Sequence, residues 1–295
     1  SGGVCGNCRR GGGEVRAKAF AKVNLGLRVL VPDADGIHPL RGLFQTIDWH
    51  DEVTLEDAET DSIEVPGGGA PEDESNLAWR AIAAARMFGR ADRPTRLTVS
   101  KQITSPAGLG GGSADAAAAL HLAARRFSVS FDDTRRLAVD LGSDVPFAFV
   151  GGTALVTGRG QFVTPRIDAT GFGLAIVVPP IVLDTREVYR TWDGLGGPSG
   201  PVIDAAALPP VLREYAPLAN DLYPAAVSVA PAVDEWRAEL AHRWGVPVVM
   251  TGSGAALFSY FPTRAEAEDA ISAAPEDAIA TRAAEPVPRG HEMVE

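Results

Sequence analysis

Two cysteines in 295 residues, Cys5 and Cys8, leave no material for a disulfide framework. Their C-x-x-C spacing lacks the second pair that a structural zinc site needs. It also sits in a glycine-rich stretch, whereas a redox pair works at a strand-to-helix junction. Residues 1–14 are therefore expected to be a disordered leader. Long apolar runs are missing too. None approaches the roughly 18 to 20 residues that cross a bilayer, and the leader has no apolar segment of a secretory signal. These absences predict a soluble, cytoplasmic protein. Positive charge is scarce: 27 Lys and Arg against 38 Asp and Glu give a net charge of −11. Nucleic acid and anionic membranes, both gripped mainly through Lys and Arg contacts to phosphate, are poor partners for such a chain. A phosphate-bearing ligand has to be held locally, by backbone N–H groups and one or two placed cations.

What is present is globular: 45% apolar and 22% charged residues, in a length that suggests about two domains of roughly 150 residues each. From residue 19 to 31 the chain alternates. Ala19, Ala21, Val23, Leu25, Leu27, Val29 and Val31 share one face, and Phe20, Lys22, Asn24, Gly26, Arg28 and Leu30 the other. The period of two predicts a half-buried strand that projects Lys22 and Asn24 together, about 7 Å apart. Further short strands are expected at 43–47, 52–56, 96–103, 172–179, 246–250 and 257–261. Helices are expected at 75–88, capped by Ser75 or Asn76, and at 132–141, capped by Asp132 and stopped by Gly142. Two more are expected at 234–244 and 263–273. Composition shifts near residue 165, and the Pro/Gly-rich segment 194–210 reads as a loop or mobile insertion. The sum is an α+β chain with one domain at 15–165 and another at 166–295.

The stretch S105-P-A-G-L-G-G-G-S-A-D-A-A-A-A-L120 sets four glycines in five positions against an alanine-rich helix, with Ala116, Leu120, Ala123, Ala124 and Phe127 on one stripe. A helix start leaves about four N–H groups unpartnered and carries roughly half a positive charge. Glycines before it let the backbone wrap a phosphate without Cβ atoms in the way. Pro106, Ala107, Gly108, Leu109, Gly110, Gly111, Gly112, Ser113 and Ala114 thus form a candidate anion cradle. A tight turn, or a glycine surface for close packing, are the bland alternatives. No lysine precedes Ser113, so this is no Walker A loop. Ser113 also replaces the last glycine of a dinucleotide fingerprint that would belong near the first strand.

The run P106-A-G-L-G-G-G-S-A-D-A116 resembles the phosphate-binding motif of the GHMP kinase superfamily. Four other stretches resemble that superfamily in order: A21-K-V-N-L-G-L27 with D35-G-I-H38, L141-G-S-D-V-P-F147, N220-D-L222, and T251-G-S-G-A-A-L-F258. Their form is closest to members acting on a cytidine-diphosphate-linked methylerythritol. The resemblance implies a two-domain GHMP kinase fold, with an N-terminal ribosomal-protein-S5-like domain and a C-terminal ferredoxin-like α/β domain. It implies transfer of the γ-phosphoryl group of ATP, with Mg²⁺, to the 2-hydroxyl of that small molecule, in the non-mevalonate (MEP) route to isoprenoids. Pro106 to Ala114 would bind ATP. Asp144 would accept or orient the acceptor's proton, and Lys22 would steady the developing negative charge. Asn24 and His38 would contact the cytidine diphosphate half, and Thr251, Gly252 and Ser253 the acceptor side. The enzyme would be a monomer or homodimer. Taken without the resemblance, Asp144 is equally a helix cap and Lys22 a solvated charge. Two positions depart from the pattern: Ile37 replaces a stacking tyrosine, and Thr104 a proline, with Pro106 instead. A kinase for another small alcohol, or a catalytically silent nucleotide-binding protein, stay open.

Overall fold

A computed structural model describes residues 13–294, so Cys5, Cys8 and nearly all of the expected leader lie outside the described residues. The alternating run forms β1 (Val15–Val29), paired along its length with β2 (Leu40–Asp57). The two short strands expected at 43–47 and 52–56 are one strand of 18 residues. Irregularities in the ladder between Phe20 and Lys22, and between Asn24 and Gly26, bend the ribbon. They also pass the odd-numbered face of β1 from one core to the next. Ala17 and Ala19 pack in a first cluster, Ala21, Val23 and Leu25 in a second, and Leu27 and Val29 in a third.

Strands β3 (Ser62–Glu64), β4 (Thr95–Ser100), β5 (Thr153–Gly158) and β6 (Phe162–Pro165) complete this sheet, together with the chain's last strand, β11 (His291–Val294). The order is β11-β1-β2-β4-β3, with β5 on the first half of β2 and β6 outside β5. Helix α1 (Leu77–Phe88) starts at Asn76, whose Oδ1 accepts the Ala78 amide at 2.9 Å. Helix α2 (Gly111–Phe127) was expected to bury one stripe. It is buried on nearly every side, because alanine lets the sheet and its neighbours α1, α3 (Phe131–Leu141) and α4 (Val145–Val150) come close all round. The cap of α3 is Ser130, not Asp132: its Oγ accepts the Asp133 amide, and Asp132 and Asp133 supply negative charge to the first turn.

The second sheet runs β10-β7-β9-β8: β7 (Gly173–Val178), β8 (Val249–Met250), β9 (Leu257–Phe261) and β10 (Ala280–Ala284), all antiparallel. With it go α5 (Thr185–Gly194), α6 (Tyr223–Val229), α7 (Ala232–Trp244) and α8 (Arg264–Ser272). Segment 194–210 is not a loose insertion. Ile203 and Leu208 are buried in the core, and Ile203 exchanges backbone hydrogen bonds with Leu218. The chain then returns: Val287 N donates to Thr46 O, and β11 pairs with β1. The two sheets share the second core cluster, where Val23 and Trp49 meet Leu174, Ile176 and Phe258. The odd face of β1 is thus covered here by the second sheet, yet the strand is not half-buried as its alternation suggested. Its even face, Phe20 to Gly26, is covered as well. At Gly26 even a methyl group would lie 2.9 Å from Leu218.

Candidate active site

The glycine turn enters α2 through two left-handed residues, Gly108 (φ 79°) and Gly110 (φ 72°). A side chain at Gly108 would strike Thr251 O at 2.4 Å, and one at Gly110 would press on Lys22 at 3.0 Å. Only glycine fits both the turn and its neighbours. The first intrahelical bond runs from Ala114 N to Gly110 O, so the amides of Gly111, Gly112 and Ser113 have no partner within the helix. Gly112 is exposed with open space beside it, Ser113 is half-buried, and no acidic side chain stands in the first turn. Pro106 is exposed, and Ala107 and Leu109 are buried supports.

Lys22 rises from β1 against this turn. Its Nζ donates to Asn24 Oδ1 at 2.7 Å and to Gly108 O at 2.9 Å, and lies 3.5 Å from Asp144 Oδ2. The lysine side chain is 8% exposed and the aspartate 32%, so the pair opens outward on its carboxylate side. Asp144 occupies the cap position of α4, but its side chain makes no capping hydrogen bond. The carboxylate is turned to the lysine instead. The turn after β8 closes on the same spot from the second sheet. Thr251 Oγ1 accepts the Asn24 amide at 2.9 Å and sits 3.1 Å from Asn24 Oδ1, while Ala256 N donates to Ala107 O. Asn220 Nδ2 holds the turn by donating to Met250 O and Gly252 O, both at 2.8 Å. Lys22, Asn24, Gly108, Asp144, Thr251 and Gly252 are thus assembled in one place. Asn24 and Thr251 direct much of their polar capacity to each other. Ser253 stands one step out, its hydroxyl 2.8 Å from that of Thr185.

His38 packs against α5. Its Nδ1 is 2.9 Å from Leu30 O and its Nε2 3.0 Å from Asp193 Oδ2. The ring stacks on Tyr189 (5.6 Å, 28°) and meets Trp192 edge-on. Tyr189 ties this patch to the Lys22–Asp144 pair: burial, and then the nearby Asp144 charge, push its hydroxyl up to about 12.

Behind the turn is a second lysine. Lys101 Nζ contacts Asp51 Oδ2 at 2.5 Å and Asp115 Oδ2 at 2.6 Å, with all three side chains at most 7% exposed. Asp51 Oδ1 also accepts the amides of Gln102 and Ile103. Burial, and then Asp51, push the Asp115 carboxyl up to about 7 against the pull of Lys101. Burial opposes the Lys101 charge, yet the two carboxylates outweigh it and hold that amine above its usual range.

Residues 76–152 match the family described as GHMP kinases N terminal domain. The 4-diphosphocytidyl-2-C-methyl-D-erythritol kinase of Pelotomaculum thermopropionicum is 35% identical over 254 residues, covering 83% of this chain and 88% of the relative. That of Saccharopolyspora erythraea is 40% identical over 74% of each chain. The chain belongs to this kinase family. A crystal structure of 4-(cytidine 5'-diphospho)-2C-methyl-D-erythritol kinase superposes with a TM-score of 0.72 at 30% identity, covering 92% of this chain and 98% of that one. A homoserine kinase from Cytophaga hutchinsonii reaches 0.68 at 16% identity, which speaks to fold alone. The two sheets are therefore those of the two-domain GHMP kinase fold, and ATP is the co-substrate such kinases use. No helix among the described residues is long and apolar enough to cross a membrane.

Several residues of this kinase escaped the sequence reading. Helix α5, which carries Tyr189, Trp192 and Asp193, announces itself by Asp184 with Glu187 three residues on, and by Val188 and Trp192 at helical spacing. The Asp51–Lys101–Asp115 group has a fainter signal: an aspartate inside an otherwise apolar helical run calls for a buried partner. Nothing local identifies Lys101 as that partner.

Proposed function

We infer that this cleft transfers the γ-phosphoryl group of ATP to the 2-hydroxyl of 4-diphosphocytidyl-2-C-methyl-D-erythritol, a step of the non-mevalonate route to isoprenoid precursors. One observation carries the reading. The Lys22–Asp144 pair stands at 3.5 Å, open on its carboxylate side, with Lys22 bonded to the turn that starts α2. The free amides of Gly111, Gly112 and Ser113 receive the triphosphate. Lys22 has three donors; Asn24 and Gly108 take two, and the third is left for Asp144 or a phosphoryl oxygen. Asp144 orients the acceptor hydroxyl and receives its proton as the new P–O bond forms. A loose transition state asks for little proton removal beforehand, so placement and charge dominate.

His38 and Tyr189 line the cytidine end, and the tyrosine brings an aromatic ring to the place where Ile37 offers none. Thr251, Gly252 and Ser253 shape the acceptor side, and Asn24, which Thr251 contacts, reaches the cytidine diphosphate half. Among the described residues no group of three or more His, Cys, Asp or Glu could hold a metal ion by itself. The donor set therefore fits Mg²⁺ carried mainly by the triphosphate, with the Ser113 hydroxyl and the Asp144 carboxylate as protein oxygens. When bound, Mg²⁺ neutralises phosphate charge. The same reading makes this a cytoplasmic, monomeric or homodimeric enzyme of small molecules, not of nucleic acid. The test is ADP release with the cytidine diphosphate compound, mevalonate and homoserine compared side by side. Turnover specific to the first is expected. Turnover only with another alcohol would reject the substrate, and ATP binding without turnover on any would reject catalysis.

A further inference from the structure

We propose that the far end of α2 carries a second binding site, for a phosphate monoester or diphosphate bearing an apolar chain. A cavity of about 540 Å³ opens there, at the C-terminal end of the helix, a size within the range of small-ligand sites. Three guanidinium groups line it: Arg125 and Arg126 from α2, and Arg93 from the turn before β4. The lining holds one carboxylate, Asp57 at the end of β2, and that one is committed: Arg126 Nε donates to its Oδ1 at 3.1 Å. Arg93 and Arg125 make no ion pair among the described residues. Three arginines against one aspartate leave a local surplus of two positive charges in a chain of net charge −11.

Helix ends do favour cations, and this accounts for Arg125 and Arg126. It does not account for Arg93, which arrives on a different element. Beside the arginines the lining offers the partly exposed Val15, Ala91 and Met293, backed by the buried Leu122 and Phe127. Guanidinium forks match phosphate oxygens two at a time, and an alkyl or prenyl body is the complement of such a floor. The site is separate from the kinase centre. The 17 residues of α2 set its two ends about 25 Å apart at 1.5 Å per residue.

The probe is octyl phosphate titrated calorimetrically into the full chain, with octanol and inorganic phosphate as controls. Saturable binding in the micromolar range is expected, unchanged by a saturating non-hydrolysable ATP analogue. It should weaken at least tenfold in Arg93→Ala/Arg125→Ala, whose kinase turnover stays that of the parent. Arg93→Ala alone, in an exposed turn, serves if the double variant folds poorly, and it too should weaken binding. Absence of saturable binding would overturn the proposal, as would equal binding of octanol, displacement by the ATP analogue, or parental affinity in these variants.

Discussion

Two lysines flank the glycine turn, and their surroundings differ. Lys101 is sealed between Asp51 and Asp115, with contacts of 2.5 and 2.6 Å and no more than 7% exposure for any member. Lys22 meets Asp144 at 3.5 Å, and that carboxylate is one-third exposed and makes no capping hydrogen bond. A sealed ionic group has its partners already chosen, so it can hold backbone in place but has nothing left for a substrate. An open, loosely paired one keeps a donor and a carboxylate for chemistry. On the proposed reading, the sealed pair is scaffold and the open one catalyst, among residues of identical type.

The largest expected effect breaks the sealed group. Lys101→Met leaves two buried carboxylates without a counter-charge and should cost about 3–5 kcal/mol of stability, read from urea unfolding. A loss below about 1 kcal/mol would mean the group is not the brace described here. On the open side the effect falls on rate. Asp144→Asn should lower kcat by at least about 10²-fold while the unfolding midpoint stays put. If both variants lose stability alike, the distinction fails.

A third, half-buried site sharpens the contrast, because it pairs two histidines. His291 and His121 face each other at 4.6 Å between β11 and α2. Burial, and then His121, push His291 down to about 4. Burial and Arg125 lower His121. Folded values below the ordinary 6.5 mean that the unfolded chain takes up protons first. Stability should thus be full above pH 6.5 and fall towards pH 4, by about 1.4 kcal/mol per pH unit from His291 alone. His291→Phe should flatten that slope in urea titrations at several pH values. The smallest effect belongs to the exposed pair of Arg159 with Asp33 and Asp35. Arg159→Ala is expected to leave the urea midpoint unchanged.

Much of this site could be read from the chain, because its parts obey local rules. The glycine turn, the strand carrying Lys22 and Asn24, the D-V-P segment with Asp144, and the T-G-S-G turn each declare themselves within a few residues. What could not be read is non-local. The even face of β1 looked solvated, yet the glycine turn covers Lys22, the turn after β8 covers Asn24, and Leu218 covers Gly26. Strand β11 closes the first sheet from the far end of the sequence, and the middle of β2 is too polar to suggest one continuous strand. Asp51, Lys101 and Asp115 come from three elements and meet only in the fold. The aromatic rings that pack on His38, Tyr189 and Trp192, come from α5, about 150 residues later, where no local pattern points to His38.

The most direct test is a crystal structure with a non-hydrolysable ATP analogue. The triphosphate should lie on the amides of Gly111, Gly112 and Ser113, with its terminal phosphate within reach of Lys22 Nζ and Asp144. A nucleotide seated elsewhere, with the glycine turn empty, would contradict the account.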